Sequence, residues 1–251
     1  HLKAPELGLP RNWESNSSLR KNGYDDSIGV LSSLRNKPSI QTLFKPARDV
    51  FVGDVDLHWD ADRLLVSMPG TNGRWQVFEL PANPQRPDGV AGGGLRQLTG
   101  EQPDVDSYDA CYLPDGRILF TSTACFIGVP CVYGSSHVAT LYRCDANGQN
   151  VRSLSSNVEH DNRPWMIPDG RVLYTRWEYV DRCDMTFHHL WTMNPDGTDQ
   201  MVYYGNMHPG CLMIDAKPIP GTRRVLAVFS TEHGSPEHRG NVVIVDPEAG
   251  P

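Results

Sequence analysis

The stretch DACYLPDGRILFTS (Asp109–Ser122) decides the fold. An apolar run reaches a Pro-Asp-Gly turn and a second apolar run leaves it. That is the pattern of a tight antiparallel hairpin, because Asp-Gly supplies the positive φ such turns require. The same pattern recurs as DLHWDADRLLVSMP (Asp56–Pro69), RPWMIPDGRVLYTR (Arg163–Arg176) and IDAKPIPGTRRVLAVFS (Ile214–Ser230). Their anchor arginines, Arg63, Arg117, Arg171 and Arg224, lie 54, 54 and 53 residues apart. Each hairpin is followed by a second, whose first strand reads WQVFELP (Trp75–Pro81), TLYRCD (Thr140–Asp145), HLWTMN (His189–Asn194) or NVVIVD (Asn241–Asp246).

Each unit is therefore four short antiparallel strands, rich in the β-branched and aromatic residues that pleated, half-buried surfaces favour. One such unit cannot bury both of its faces, whereas units packed around an axis can, and this predicts an all-β fold, a β-propeller. A β-sandwich fits four near-equal repeats poorly, and β-helix repeats are much shorter. The expected layout is an N-terminal extension over residues 1–26 and a propeller over 27–251. The propeller comprises a partial blade at 27–46 and blades at 54–99, 104–155, 160–204 and 208–251. That makes about four and a half blades of an incomplete six- or seven-bladed ring. The first residue is His and no leader-like segment follows, so the chain reads as an excised piece of a longer protein.

Composition narrows the function classes. The 251 residues carry a formal charge of −7, which repels phosphate backbones and argues against a nucleic-acid role. Gly and Pro together make 43 residues, a turn-heavy chain, and no apolar run approaches the roughly 20 residues of a membrane helix, so no membrane span is expected. Six cysteines (111, 125, 131, 144, 183 and 211) are scattered without CxxC or CxxCH, which leaves no zinc ribbon and no c-type haem attachment within the chain. There is no phosphate-cradling glycine loop and no GxSxG elbow.

Strand order sorts the remaining chemistry. In an up-and-down blade, the loop between strands two and three and the link to the next blade emerge on one face, here termed the loop face. Plain turns such as PDG emerge on the other, the turn face. The loop face receives Ala124–Val138, with Cys125, Cys131, Tyr133 and His137, and the link Glu159–His160–Asp161. It also receives Asp181–His188, with Cys183 and Asp184, then His208, His233 and His238. Thiols and imidazoles gathered on one rim suit a transition metal such as zinc, although loops collect polar residues in any case. Extended His188 and His189 would point to opposite faces, so only one can join a shared site. No spacing picks out a carboxylate pair among Asp104, Asp106 and Glu178. Asp54–Val55–Asp56 and Asp104–Val105–Asp106 lack the ligand spacing of a calcium loop and read as solvated blade entrances.

LYRCDANGQNVRSLS (Leu141–Ser155) and LWTMNPDGTDQMVYY (Leu190–Tyr204) resemble the repeat of TolB-like propellers, in which a strand ends in a D-x-x-G turn. RNWESNSSL (Arg11–Leu19), FVGDVDLHWDADRLLVSMP (Phe51–Pro69), PDVDSYDACYLPDGRILFTST (Pro103–Thr123), GVPCVYGSSHVATLYR (Gly128–Arg143) and GRVLYTRWEY (Gly170–Tyr179) resemble the middle β-propeller domain of the hydrazine synthase alpha subunit family. This resemblance implies a haem-associated, extracytoplasmic protein, a non-haem propeller part of an oxidoreductase acting on nitrogen compounds. Zinc would take ligands from Cys131 and His160, the latter placed by its spacing of ten residues before Gly170. The partner would be a haem-bearing domain or subunit, since haem c could enter only through domains outside this chain. His137, Asp161, Tyr133, Cys125, His188 and His208 would line the pocket. A Cys125–Cys131 disulfide would remove Cys131 as a ligand. The alternative is a TolB-like scaffold that docks a protein or glycan on its loop face through Phe126, Tyr133, Trp165, Trp177 and Tyr179, of which Trp165 and Trp177 fall in strands and suit the blade core better.

Overall fold

Each Asp-Gly turn does what its chemistry dictates. Gly116 and Gly170 sit at φ of 82° and 87°, and the Asp before each accepts a hydrogen bond from the Arg after it, Arg117 N to Asp115 and Arg171 N to Asp169, both at 3.1 Å. These turns close hairpins throughout the computed structural model, which describes residues 10–11, 13–82, 94–181, 187–208, 210–230 and 240–250.

A two-stranded hairpin comes first, β1 (Ile28–Ser32) and β2 (Ser39–Phe44). The first full sheet orders β3 (Gly53–Leu57), β4 (Arg63–Pro69), β5 (Trp75–Pro81) and β6 (Arg96–Gln97) consecutively and antiparallel. The second repeats it with β7 (Ser107–Tyr112), β8 (Ile118–Ser122), β9 (Thr140–Cys144) and β10 (Arg152–Ser153). The third uses β11 (Asp161–Met166), β12 (Val172–Trp177), β13 (Phe187–Met193) and β14 (Met201–Tyr204). The last group is β15 (Cys211–Pro218), β16 (Val225–Ser230) and β17 (Gly240–Val245). These sheets are the blades of an incomplete β-propeller, as the repeat predicts. One departure is local: Phe187 and His188 pair in parallel with Cys211 and Leu212, which fuses the third and fourth blades into one seven-stranded sheet.

The core lies between blades, one cluster per junction. Phe44 meets Val52, Leu64, Met68 and Phe78; Leu65 and Val77 meet Tyr112, Ile118 and Phe120. Leu119 and Leu141 meet Val172 and Tyr174, and Leu173 and Leu190 meet Met213, Val225 and Val245. Full burial of such a side chain is worth roughly 1.5–3 kcal/mol, so each blade depends on its neighbour for stability. Gly197 marks one close approach: a Cβ there would stand 2.6 Å from the Leu154 carbonyl oxygen of the preceding blade.

Each first strand also carries a bulge at the same place, between Gly53 and Asp56, Tyr108 and Cys111, Asn162 and Trp165, and Ile214 and Lys217. Within these bulges Asp54, Asp109, Arg163 and Asp215 adopt left-handed φ of 49° to 56°. The bulge turns these four side chains towards one another along the axis.

Candidate functional site

On the loop face, residues 124–138 form a small ordered hairpin. Val129 N–H donates to Ser136 O at 2.9 Å, Val138 N–H to Ile127 O at 2.9 Å, and Gly128 bridges His137. Val129 and Val138 are buried against Trp177, which anchors the hairpin to the end of β12. Its tips point outwards. Phe126 is 66% exposed and Tyr133 100%, and both hold left-handed φ of 54°, a conformation that non-glycine residues rarely adopt. Ile127 is exposed beside them, with Val158, Val180 and Met207 exposed on other loops and links that the strand order places on this face.

Trp177 gathers several of the expected site residues. Cys125 and Cys131 pack against its cluster, the His188 ring stacks on it at 4.6 Å, and the His160 ring lies 6.1 Å away. Cys125 donates its thiol hydrogen to Val138 O at 3.2 Å, and neither it nor Cys131 is in a disulfide. Burial, and then the nearby Glu159 carboxyl, push the Cys131 thiol above its ordinary pKa. Asp161 is committed to Arg176 through two bonds of 2.7 and 2.8 Å. Tyr133 stands clear in solvent and His208 stacks on Tyr204 at 5.2 Å, so neither joins the Trp177 group. His137 is half-buried within the hairpin. Cys183, Asp184, His233 and His238 lie outside the described residues.

His160 decides how well zinc fits. Its Nδ1 accepts the Ala139 N–H at 3.0 Å, and its Nε2–H donates to the Trp13 carbonyl at 3.0 Å. Burial holds its pKa low, so the ring is neutral with both nitrogens occupied by backbone. Among the described residues no three His, Cys, Asp or Glu side chains converge as metal ligands. As arranged, Cys131 and His160 do not fit a zinc ion.

Three features escaped the sequence reading. First, residues 11 and 13–19 of the N-terminal extension form a plug at the loop-face end of the axis. Trp13 covers His160, Asn16 donates to Asp54 at 2.7 Å, and Ser17 meets Ser136 at 3.1 Å. Second, Glu159 is buried with both carboxyl oxygens unpartnered, and burial pushes its pKa up to about 8. Third, each of the two supposed solvated entrances has one carboxylate in the interior, although Asp104 and Val55 are exposed. Asp106 is buried and accepts the Trp75 N–H at 2.8 Å, and Asp56 is buried and accepts the Tyr112 N–H at 2.9 Å. Only the Asp–Asp excess at the blade starts could have hinted at this, because carboxylates there tie one blade to its neighbour.

The axial hub completes the picture. Arg163 Nε lies 3.3 Å from Asp215, its guanidinium 3.6 Å from Asp54, and its backbone N–H donates to Asp109 at 2.9 Å. One arginine thus joins carboxylates from three other blades, Asp54 and Asp215 through its guanidinium and Asp109 through its backbone N–H. Asp109, buried among them, has its pKa pushed up to about 6 despite Arg163.

No family model matches the chain, and no curated protein matches it. Among solved structures it is similar to a putative TolB from Agrobacterium tumefaciens, with TM-score 0.61 and 17% identity over 96% of this chain and 81% of that one. The fold is a TolB-like β-propeller. A similar degree of likeness links the propeller to Kuenenia stuttgartiensis hydrazine synthase, TM-score 0.61 and 16% identity over 85% of this chain. The chain spans 33% of the length of that hydrazine synthase chain. A chain of a nidogen/laminin complex is similar as well, TM-score 0.58 and 12% identity over 91% of this chain and 72% of that one. Among the described residues no helix is long and apolar enough to cross a membrane.

Proposed function

We propose that this propeller is a binding scaffold that docks a protein on its loop face, outside the cytoplasm. The carrying observation is the 124–138 hairpin, which holds Phe126 and Tyr133 in left-handed conformations while leaving both rings in solvent. Strain of this kind persists where the surroundings over-determine it, and it clusters at functional sites. Exposed aromatic side chains on a rigid support are what protein interfaces use as anchors. The hairpin contains no Asp, Glu, Lys or Arg, and the exposed Val158, Val180 and Met207, on loops and links of the same face, are apolar. Such a surface matches an apolar protein patch better than a hydroxyl-rich glycan. The similar chain of the nidogen/laminin structure is named for a complex between proteins, which favours the same reading.

Parallel screening of a displayed peptide library and a glycan array against the purified protein tests this. Apolar peptides should bind saturably, and Phe126→Ala with Tyr133→Ala should weaken them by about tenfold or more, the scale of losing interface hot spots. Glycans held at this face, or peptides indifferent to the double variant, would overturn it.

A further inference from the structure

The turn face carries a second site of different chemistry, where the second blade meets the third. Arg143 on β9 and Arg152 on β10 stand directly opposite each other in register. Arg143 also pairs with Leu119, so Arg117, two residues before Leu119 along the chain, shares their face. Like charges placed opposite each other in a ladder repel and destabilise it. The first blade treats the same positions differently. There they are Arg63, Glu79 and Arg96, and the central Glu79 carboxylate lies 3.5 Å from Arg63 and 2.6 Å from Arg96. In the second blade Arg143 stands where that carboxylate would be, and Arg117, Arg143 and Arg152 line a cavity of about 230 Å³.

We propose that this cavity binds a doubly charged phosphoryl group, which takes the place that the Glu79 carboxylate fills in the first blade. The donors are available. Arg143 reaches only the Pro195 carbonyl of the third blade, at 3.5 Å, and the Arg152 guanidinium has no partner among the described residues. The neighbouring acids are engaged elsewhere. Asp115 lies 3.5 Å from Arg117, Asp145, which also lines the cavity, accepts from Asn150 at 2.7 Å, and Asp196 of the third blade accepts from Thr198 at 2.7 and 3.0 Å. Among the described residues no carboxylate forms an ion pair with Arg143 or Arg152, which leaves two positive charges for a dianion to match. Guanidinium forks bind phosphate oxygens in pairs, which favours a phosphoryl group over a spherical anion. Cys144 in the wall adds no competing charge, because burial, and then Asp145, push its thiol up to about 12.

Calorimetric titration at pH 7.5 and fixed ionic strength tests the proposal, with glycerol 3-phosphate and inorganic phosphate as dianions and dimethyl phosphate as a singly charged diester. A dianion should bind at one site at least about tenfold tighter than the diester, the scale of one added charge-assisted hydrogen bond. The tighter of the two dianions identifies the source as an ester or the free ion. Arg143→Glu should abolish binding, because it rebuilds the arrangement of the first blade. Arg152→Ala should weaken it about tenfold, and Arg152 is exposed, so its loss leaves the core intact. Arg171→Ala, the equivalent of Arg117 in the third blade, should leave it unchanged. Binding should also weaken severalfold at pH 5, where the phosphoryl group takes up a proton near its second pKa of about 6. Equal affinity for the diester, binding that survives Arg143→Glu, or no saturable heat would each overturn the proposal.

Discussion

Arg163→Ala should be the most destabilising single substitution in the axial cluster, by about 3–5 kcal/mol at pH 8, the range for stripping one partner from a buried ion pair. The guanidinium bridges Asp54 and the partly exposed Asp215, and its removal leaves their carboxylates facing that of buried Asp109. The loss should shrink as pH falls to 5. Carboxyls whose folded pKa lies above the unfolded value of about 4 take up protons on folding, so their burial is tolerated at low pH and penalised as pH rises through the folded value. Asp109 already sits near 6 with Arg163 present. Denaturant unfolding at the two pH values measures the difference. As a control, Arg171→Ala should cost less than about 1 kcal/mol, because its pair with Asp169 is solvent-exposed. A pH-independent loss, or an Arg163 variant as stable as the control, would show that the hub does not tie the blades together.

Trp177→Ala should cost about 3–5 kcal/mol, the usual penalty for emptying a large aromatic site in a core. Trp177 is fully buried and supports Val129, Val138, His188 and Tyr179 at once. Its loss should therefore release the 124–138 hairpin and abolish peptide binding, although Trp177 itself is hidden from any partner. Trp177→Phe should recover much of both. Hydrogen exchange at Val129 and Val138, whose amides close the hairpin, reads the release directly. Unchanged protection at those amides in the alanine variant would separate the hairpin from its proposed anchor.

The blades were legible because their signals are local. Asp-Gly turns and alternating apolar strands lie within a few residues of each other, and the 54-residue period shows which turns are equivalent. The face carrying the long loop followed from strand order alone. The axial cluster was not legible, because its members meet across more than fifty residues and depend on bulges that leave no mark in an apolar alternation. Asp54 and Asp56 looked like a solvated pair until the bulge showed one turned to the hub and the other to the neighbouring strand. The state of His160 was hidden for the same reason. The spacing to Gly170 places the ring, but nothing local says that the Trp13 carbonyl, 147 residues earlier, closes its second nitrogen. Glu159 gave no signal beyond its position beside that histidine.

The most direct test of the docking reading is oxidative footprinting of the purified protein beside the same protein in intact cells of its source organism. Phe126, Tyr133 and Met207 should oxidise readily in isolation and be strongly protected in the cell, while Met201 and Leu34, exposed elsewhere, stay reactive in both. Equal labelling of Phe126 and Tyr133 in the two samples would contradict the account.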